Sequence, residues 1–208
     1  MESGKINIKS KEGEFNQNSY VVEYKDSCIL IDAGVRYDEI KKITNKPILA
    51  VMLTHGHFDH IEYIEEYDRK KIPIYASAYT KNAINDPKLN ASYMFGSKVY
   101  KVSKINELKD DKIIKIGEFE IKSLSTPGHT RDSVCYLIGD KLFSGDTLFS
   151  DSIGRYDFID SSKQDMLKSL LKLDDLDYLE LYPGHGRASN KEEQNQNIKR
   201  WITILNRF

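Results

Sequence analysis

Thr54-His55-Gly56-His57-Phe58-Asp59-His60 sets three imidazoles and a carboxylate within one short turn of chain. The remaining histidines of the five in the chain are His129, in Thr126-Pro127-Gly128-His129-Thr130, and His185, in Pro183-Gly184-His185-Gly186. Asp146, in Ser144-Gly145-Asp146-Thr147, adds a second carboxylate in the same Gly-flanked setting. Imidazole nitrogens and carboxylate oxygens bind borderline divalent metals, and a ligand set without thiolates fits a catalytic centre better than a sealed structural one. His55, His57, Asp59, His60, His129, Asp146 and His185 are too many ligands for one tetrahedral ion. They suit two ions bridged by a carboxylate and a water, an arrangement that makes a strong nucleophile at neutral pH. A lone histidine is usually an ordinary core or surface group, but here no histidine is left over for such duty.

Elements that could bring these positions together are visible upstream of each. Ile48 to Leu53 is an unbroken apolar run, the pattern of a buried strand, and it leads into the His55 cluster. Phe119 to Leu124 alternates at period two toward His129, Lys141 to Phe143 precedes Asp146, and Tyr178 to Tyr182 precedes His185. Every candidate ligand therefore follows the C-terminal end of an expected strand, and four such ends must meet at one edge. Gly56, Gly128, Gly145, Gly184 and Gly186 would let the chain turn or pass close to an ion.

With these motifs in place, the chain resembles the metallo-β-lactamase superfamily, and within it the glyoxalase II-like (hydroxyacylglutathione hydrolase-like) hydrolases. The resemblance runs from Ser27-Cys28-Ile29-Leu30-Ile31-Asp32-Ala33-Gly34 to Pro183-Gly184-His185-Gly186. It implies an α+β fold, a four-layer αββα sandwich with the metal site at one edge of two sheets. It implies a first metal held by His55, His57 and His129, a second held by Asp59, His60 and His185, and Asp146 bridging them. Zinc comes first among the expected ions, with iron or manganese the alternatives. Asp32 matches the family's non-ligand Asp near the site and would orient a ligand loop; otherwise it is a turn residue ending a strand.

The implied chemistry is attack of a metal-bridging hydroxide on a carbonyl, with Asp59 both a ligand and a catalytic group that orients the nucleophile. A thiolate leaves with little help, since a thiol pKa is only ~8.5, whereas an amine leaving group needs a proton donor. Thioester hydrolysis is thus the leading expectation. A persulfide dioxygenase using only His55, His129 and Asp146 around one iron, a lactonase, a nuclease and a metal-stabilised binding protein are the alternatives. Glyoxalase II carries a helical C-terminal domain that helps hold glutathione, and the 208 − 185 = 23 residues after His185 have room for one helix. Glutathione preference should be weak.

Composition sets limits. The 208 residues suit one domain spanning 1–208, and Lys+Arg 31 against Asp+Glu 32 gives a formal charge of −1, with no basic excess to recruit nucleic acid or an anionic membrane. Met1 to Asn7 lacks the apolar core of a signal peptide and no run approaches a membrane span, so a cytoplasmic protein acting on a small-molecule thioester or related ester is expected. Cys28 and Cys135 sit in apolar stretches and read as buried reduced thiols.

Two β-rich halves are expected, Ile6 to about Tyr75 and Ile113 to Tyr182. Capping boxes at Ser161-x-x-Gln164 and Ser189-x-x-Glu192 predict two outer helices. Between the halves, Asn85 to Gly96 breaks periodicity and then offers Tyr93, Met94 and Phe95, which either wall the cleft or pack the loop down. Leu148 to Phe158 is a second candidate wall, similar to the G-R-x-D-F stretch of small glyoxalase II-like proteins. Arg155 there would buttress the metal loop, meet an anionic substrate, or form a surface ion pair. At Asp132, where relatives commonly have Gly, an Asp would have to tolerate a left-handed backbone.

Overall fold

Successive side chains in Cys28-Ile29-Leu30-Ile31 and Ala50-Val51-Met52 are all buried, which requires cover on both faces of the sheet that holds them. The computed structural model describes residues 5–207, and Met1 to Gly4, part of the stretch read above for a signal segment, lies outside them. In the first sheet, β1 (Asn7–Glu12), β2 (Asn18–Tyr24), β3 (Ser27–Ile31), β4 (Ile48–Met52), β5 (Ile74–Ser77) and β6 (Asn106–Leu108) lie side by side in chain order. Pairing is antiparallel from β1 to β3 and parallel from β3 to β6. The second sheet has the order β12-β11-β10-β9-β8-β7, from β7 (Ile113–Ile116), β8 (Phe119–Ser125), β9 (Val134–Ile138), β10 (Lys141–Gly145), β11 (Glu180–Pro183) and β12 (Ser189–Asn190). Here only β10 and β11 pair in parallel. The first sheet thus runs past the expected Ile6 to Tyr75 half, because β6 adds to the open edge of β5 after a long excursion.

Alternation along the strands divides the core into layers. Ile29, Ile31, Ala50 and Met52 meet Phe119, Ile121, Tyr136 and Phe143 between the sheets. Leu30, Val51 and Leu53 turn the other way, onto Ile40 of α1 (Tyr37–Ile43), Ile61 of α2 (Phe58–Ile61), and Ile64 and Tyr67 of α3 (Ile64–Arg69). On the far side Cys135, Leu142 and Leu181 carry Met166, Leu170 and Leu173 of α5 (Lys163–Asp174) and Ile198 and Leu205 of α6 (Lys191–Asn206). The order helix, sheet, sheet, helix is the four-layer αββα sandwich. A short α4 (Thr80–Ala83) and a 3-10 turn, Ser92–Phe95, lie in the excursion between β5 and β6. Among the described residues, no helix is long and apolar enough to cross a membrane.

Both outer helices start one residue later than their capping boxes predict. Ser162 caps α5, its side chain accepting from Asp165 N, and Asn190 caps α6, accepting from Glu193 N. Ser161 Oγ instead accepts from Phe158 N and closes the preceding turn, while Ser189 Oγ accepts from Gln194 Nε2.

Candidate metal centre

Each expected ligand lies where a strand has just run out. His55 follows β4, and the single-turn α2, with His57 at its N-cap, carries Asp59 and His60. His129 lies in a loop folded on itself by Thr126 N to Ser133 O at 2.9 Å and Gly128 N to Thr130 O at 3.1 Å. Asp146 follows β10 directly. His185 follows β11 and is strapped to the first sheet: Asn18 N donates to Gly184 O at 2.6 Å, Asn18 Nδ2 to Pro183 O at 3.1 Å, and Tyr20 Oη to Pro183 O at 2.7 Å. Two glycines permit this crowding. A Cβ at Gly184 would stand 2.1 Å from Asp146 Oδ1, and Gly128, at φ +147°, would put one 2.4 Å from Met166 Cα.

All seven residues converge. His55, His57 and His129 offer ligand atoms lying within 4.8 Å of one another, and so do Asp59, His60 and His185, and His55, His60 and Asp146. His57 Nδ1 and His129 Nε2 face each other at 2.9 Å, and Asp59 Oδ2 lies 3.2 Å from His185 Nε2. Asp146 stands between the triads, 3.3 Å from His60 Nε2, 3.5 Å from His129 Nε2 and 3.6 Å from His185 Nε2.

Four of the five imidazoles have their outer nitrogen engaged. Nδ1 of His55 meets Thr54 Oγ1 at 3.1 Å, that of His60 meets Asp32 Oδ2 at 2.8 Å, that of His129 meets Arg155 O at 2.8 Å and that of His185 meets Asn16 O at 3.1 Å. This fixes the rings with Nε2 turned inward, the outer-shell pattern of metal-ligating histidines. Nε2 of His55 and Oδ1 of Asp146 are buried with no hydrogen-bond partner. Buried polar atoms are rarely left so, and divalent ions fit this donor set.

Charge is distributed to match. Burial, reinforced by neighbouring histidines, holds His55 well below its ordinary value and His57 down to about 3, so both are neutral ligands at pH 7. Burial would also depress His60, but Asp59, Asp146 and Asp32 outweigh it and hold this ring well above the ordinary value. Burial would raise Asp146, yet His60 and His129 keep it well below the carboxylate range. The second triad is therefore a place where carboxylates gather positive charge.

The supporting residues fall out differently from expectation. Asp32, with φ +62° and almost no exposure, accepts from Thr54 N at 2.7 Å and Thr54 Oγ1 at 2.8 Å besides meeting His60. These bonds tie Asp32 to the turn that carries His55 and His60. Arg155 buttresses the metal loop through its backbone carbonyl alone; its guanidinium pairs with Asp157 in two 2.9 Å bonds. Tyr93 is 54% exposed and does not line the cleft, whereas Met94 and Phe95 do. Asp132 does not have a positive φ; its buried carboxylate packs behind Gly56, and Arg131 stacks on Tyr79 at 4.1 Å, so neither meets the cleft. Cys28 and Cys135 are buried thiols pushed up to about 11 by that burial. Thr54 bonds Asp32, Phe15 lines the cavity, and Asn90 accepts from Phe58 N beside the ligands. Thr54 adjoins the His cluster, a signal that was available, while Phe15 and Asn90 carry none.

A cavity of about 420 Å³ opens over the ligands, with His57, Asp59, His129, Asp146 and His185 in its floor and apolar side chains around it. This fold and this two-triad site define a metallo-β-lactamase type of architecture. A family model described as the metallo-beta-lactamase superfamily matches residues 13–185, and the chain belongs to that superfamily. The chain is 35% identical over 197 residues to the probable metallo-hydrolase YqgX of Bacillus subtilis, covering 89% of this chain and 92% of that protein. It is 32% identical over 202 residues to the probable polyketide biosynthesis zinc-dependent hydrolase BaeB of Bacillus velezensis, covering 92% and 82%. Among solved structures, the BLEG-1 B3 metallo-beta-lactamase superposes with a TM-score of 0.85 at 28% identity, covering 94% of this chain and 99% of that one.

Proposed function

We propose that this protein is a metal-dependent hydrolase of small-molecule thioesters, of the glyoxalase II-like kind, working at a dinuclear centre. The observation that carries the reading is the place of Asp146 between two complete triads, within 3.6 Å of a histidine of each. His55, His57 and His129 would hold one ion and Asp59, His60 and His185 the other, with zinc first among the candidates. When bound, the two ions supply an activated water and Lewis-acid stabilisation of a developing oxyanion.

The chain's own groups account for the rest. Burial would raise the Asp59 pKa, but His60 and His185 beside it bring it below the ordinary carboxylate value. Asp59 is therefore ionised at neutral pH and presents an acceptor, at the cavity floor, that can hold a water by its proton. Among the described residues, Arg155 is the one titratable residue of the lining outside the ligand set, and it stays charged. No free side chain there can protonate an amine. A thiolate leaves without that help, which favours thioesters over amides and β-lactams.

The test is elemental analysis of protein purified without added metal, with hydrolysis assays on S-lactoylglutathione, the lactoyl thioester of a simple thiol, a lactone and a β-lactam. Two ions per chain and thioester hydrolysis are expected, with less than about a hundredfold preference for the glutathione form, or ~2.7 kcal/mol at 1.36 kcal/mol per decade. Asp146→Ala should retain less metal than His185→Ala. One iron per chain with oxygen uptake on glutathione persulfide, or turnover of the lactone or β-lactam alone, would overturn the reading.

A further inference from the structure

Aromatic rings flank the ligands on two sides of the cavity. On one side Phe15 meets Phe58 edge-on at 4.8 Å and Phe95 at 5.6 Å, while Phe58 and Phe95 lie 4.8 Å apart. On the other, Phe158 stands edge-on to His57 at 4.8 Å and to His129 at 5.4 Å. Phe158 is therefore in contact with the ligands themselves, and Phe58 stands between His57 and Asp59 in the chain. At the mouth Phe95 is 61% exposed and Met94 46%, and exposed apolar side chains clustered at a cavity mark a contact surface.

Charge complementarity points the same way. Among the described residues, Arg155 is the one Lys or Arg side chain of the lining, its guanidinium engaged on both sides, by the Asp157 carboxylate and by the Phe158 ring 4.6 Å beneath it. Little is left to receive the carboxylates of a charged tripeptide.

The loop that carries the exposed wall is also anchored at its base. Fully buried Asn90 accepts from Phe58 N at 2.8 Å through its carbonyl and from Ser92 N at 2.9 Å through Oδ1, and donates from Nδ2 to Lys98 O at 3.0 Å. Between these anchors Ala91 is forced to φ +60°. A non-glycine residue there stores backbone strain, which persists where surrounding structure imposes it and gathers at ligand-binding segments. Phe58 sits between His57 and Asp59, so Asn90 ties the loop that carries Met94 and Phe95 to the ligand turn.

From these observations, and resting on the thioester reading above, we propose that this wall is an acyl subsite that selects thioesters of apolar or aromatic acids over small hydroxyacyl ones. The acyl side is assigned because the thiols that carry acyl groups through water are polar, so the hydrocarbon of such a substrate is its acyl chain. A cavity of about 420 Å³ is of the size that holds a small ligand.

The experiment compares acetyl, butyryl, hexanoyl, phenylacetyl and lactoyl thioesters of one short polar thiol on metal-loaded protein, beside acetyl thioesters of thiols of increasing chain length. In parallel, calorimetry compares binding of hexanoate and acetate. Acyl-chain kcat/KM should rise about fourfold per methylene from acetyl to hexanoyl, the value of a buried CH₂. Hexanoate, with four more methylenes, should bind about 250-fold more tightly than acetate by the same arithmetic. Phe95→Ala should flatten both dependences while elemental analysis finds its metal content unchanged. A flat acyl series, a preference for lactoyl over hexanoyl, or chain-length dependence on the thiol side alone would overturn the proposal. If no thioester is turned over, the thioester reading falls and the two carboxylates decide the subsite: equal affinities reject it, and tighter hexanoate sustains it.

Discussion

Asp32 never reaches the cleft, yet three of its hydrogen bonds end on the ligand turn: two from Thr54 and one with His60. Asp32→Ala should therefore act on metal affinity through His60, weakening the second site by about 10- to 100-fold and the first, which Asp32 reaches only by way of Thr54, much less. Titration of the metal-free variant with Zn²⁺ would read this as one retained and one weakened step; two unchanged steps would show the carboxylate to be a mere turn former. Arg155 and Gly154 form a contrasting pair. The service to His129 comes from the Arg155 backbone, so Arg155→Ala should leave metal content intact and kcat/KM within about threefold, as for other exposed side chains. A Cβ at Gly154 would fall 1.7 Å from Asp146 O, so Gly154→Ala must displace Asp146, the proposed bridge, and loss of bound metal on elemental analysis is the expected result. The ligands were legible in sequence because metal chemistry specifies residue type. The carbonyl of Arg155 was not, since a backbone group leaves no mark on which residue is chosen.

At the scale of elements, the strand ends and outer helices were legible and their boundaries less so. Hydrophobic periodicity places α5 and α6 on the second sheet, but it barely changes when a helix start moves by one residue. The start of α5 is set by a tertiary bond, Ser162 N to Gly128 O at 2.9 Å, which joins the helix to the His129 loop. No local pattern encodes that contact. Ser162→Ala and Asn190→Ala should each lower stability by about 1 kcal/mol, the usual value of an N-cap. Urea denaturation would measure it as a shift in midpoint at constant slope; midpoints equal to wild type would mean that packing alone holds the helix starts. The excursion carrying the 3-10 turn was legible only as a break in pattern. Which side chains enter the cleft depends on the left-handed Ala91 and the buried bonds of Asn90, so Met94 and Phe95 line it and Tyr93 does not.

For the molecule as a whole, the ligands are divided between the layers. His55, His57, Asp59 and His60 follow β4 of the first sheet, whereas His129, Asp146 and His185 follow strands of the second. Ions bound by ligands of both sheets favour the folded chain over the unfolded one by mass action, about 2.7 kcal/mol for each ion at a free metal concentration of 100 Kd. In a chain of this size that corresponds to roughly 5–10 °C in Tm per ion. Calorimetric scans with and without a chelator should show a drop of this order, restored by adding Zn²⁺. An unchanged Tm would mean that the two layers are held together without help from the centre.

The strap between Asn18 and the chain around His185 joins positions more than 160 residues apart. During synthesis the turn from His55 to His60 leaves the ribosome 185 − 60 = 125 residues before the histidine that completes it. At about 5–20 residues per second this is an interval of roughly 6–25 s. For the first 129 − 60 = 69 residues of it, a cluster of three histidines and an aspartate is present without any partner from the second sheet, and until His185 emerges the site is incomplete and open to whichever metal the surroundings offer. The order of the chain therefore separates the first encounter with metal from the closing of the site.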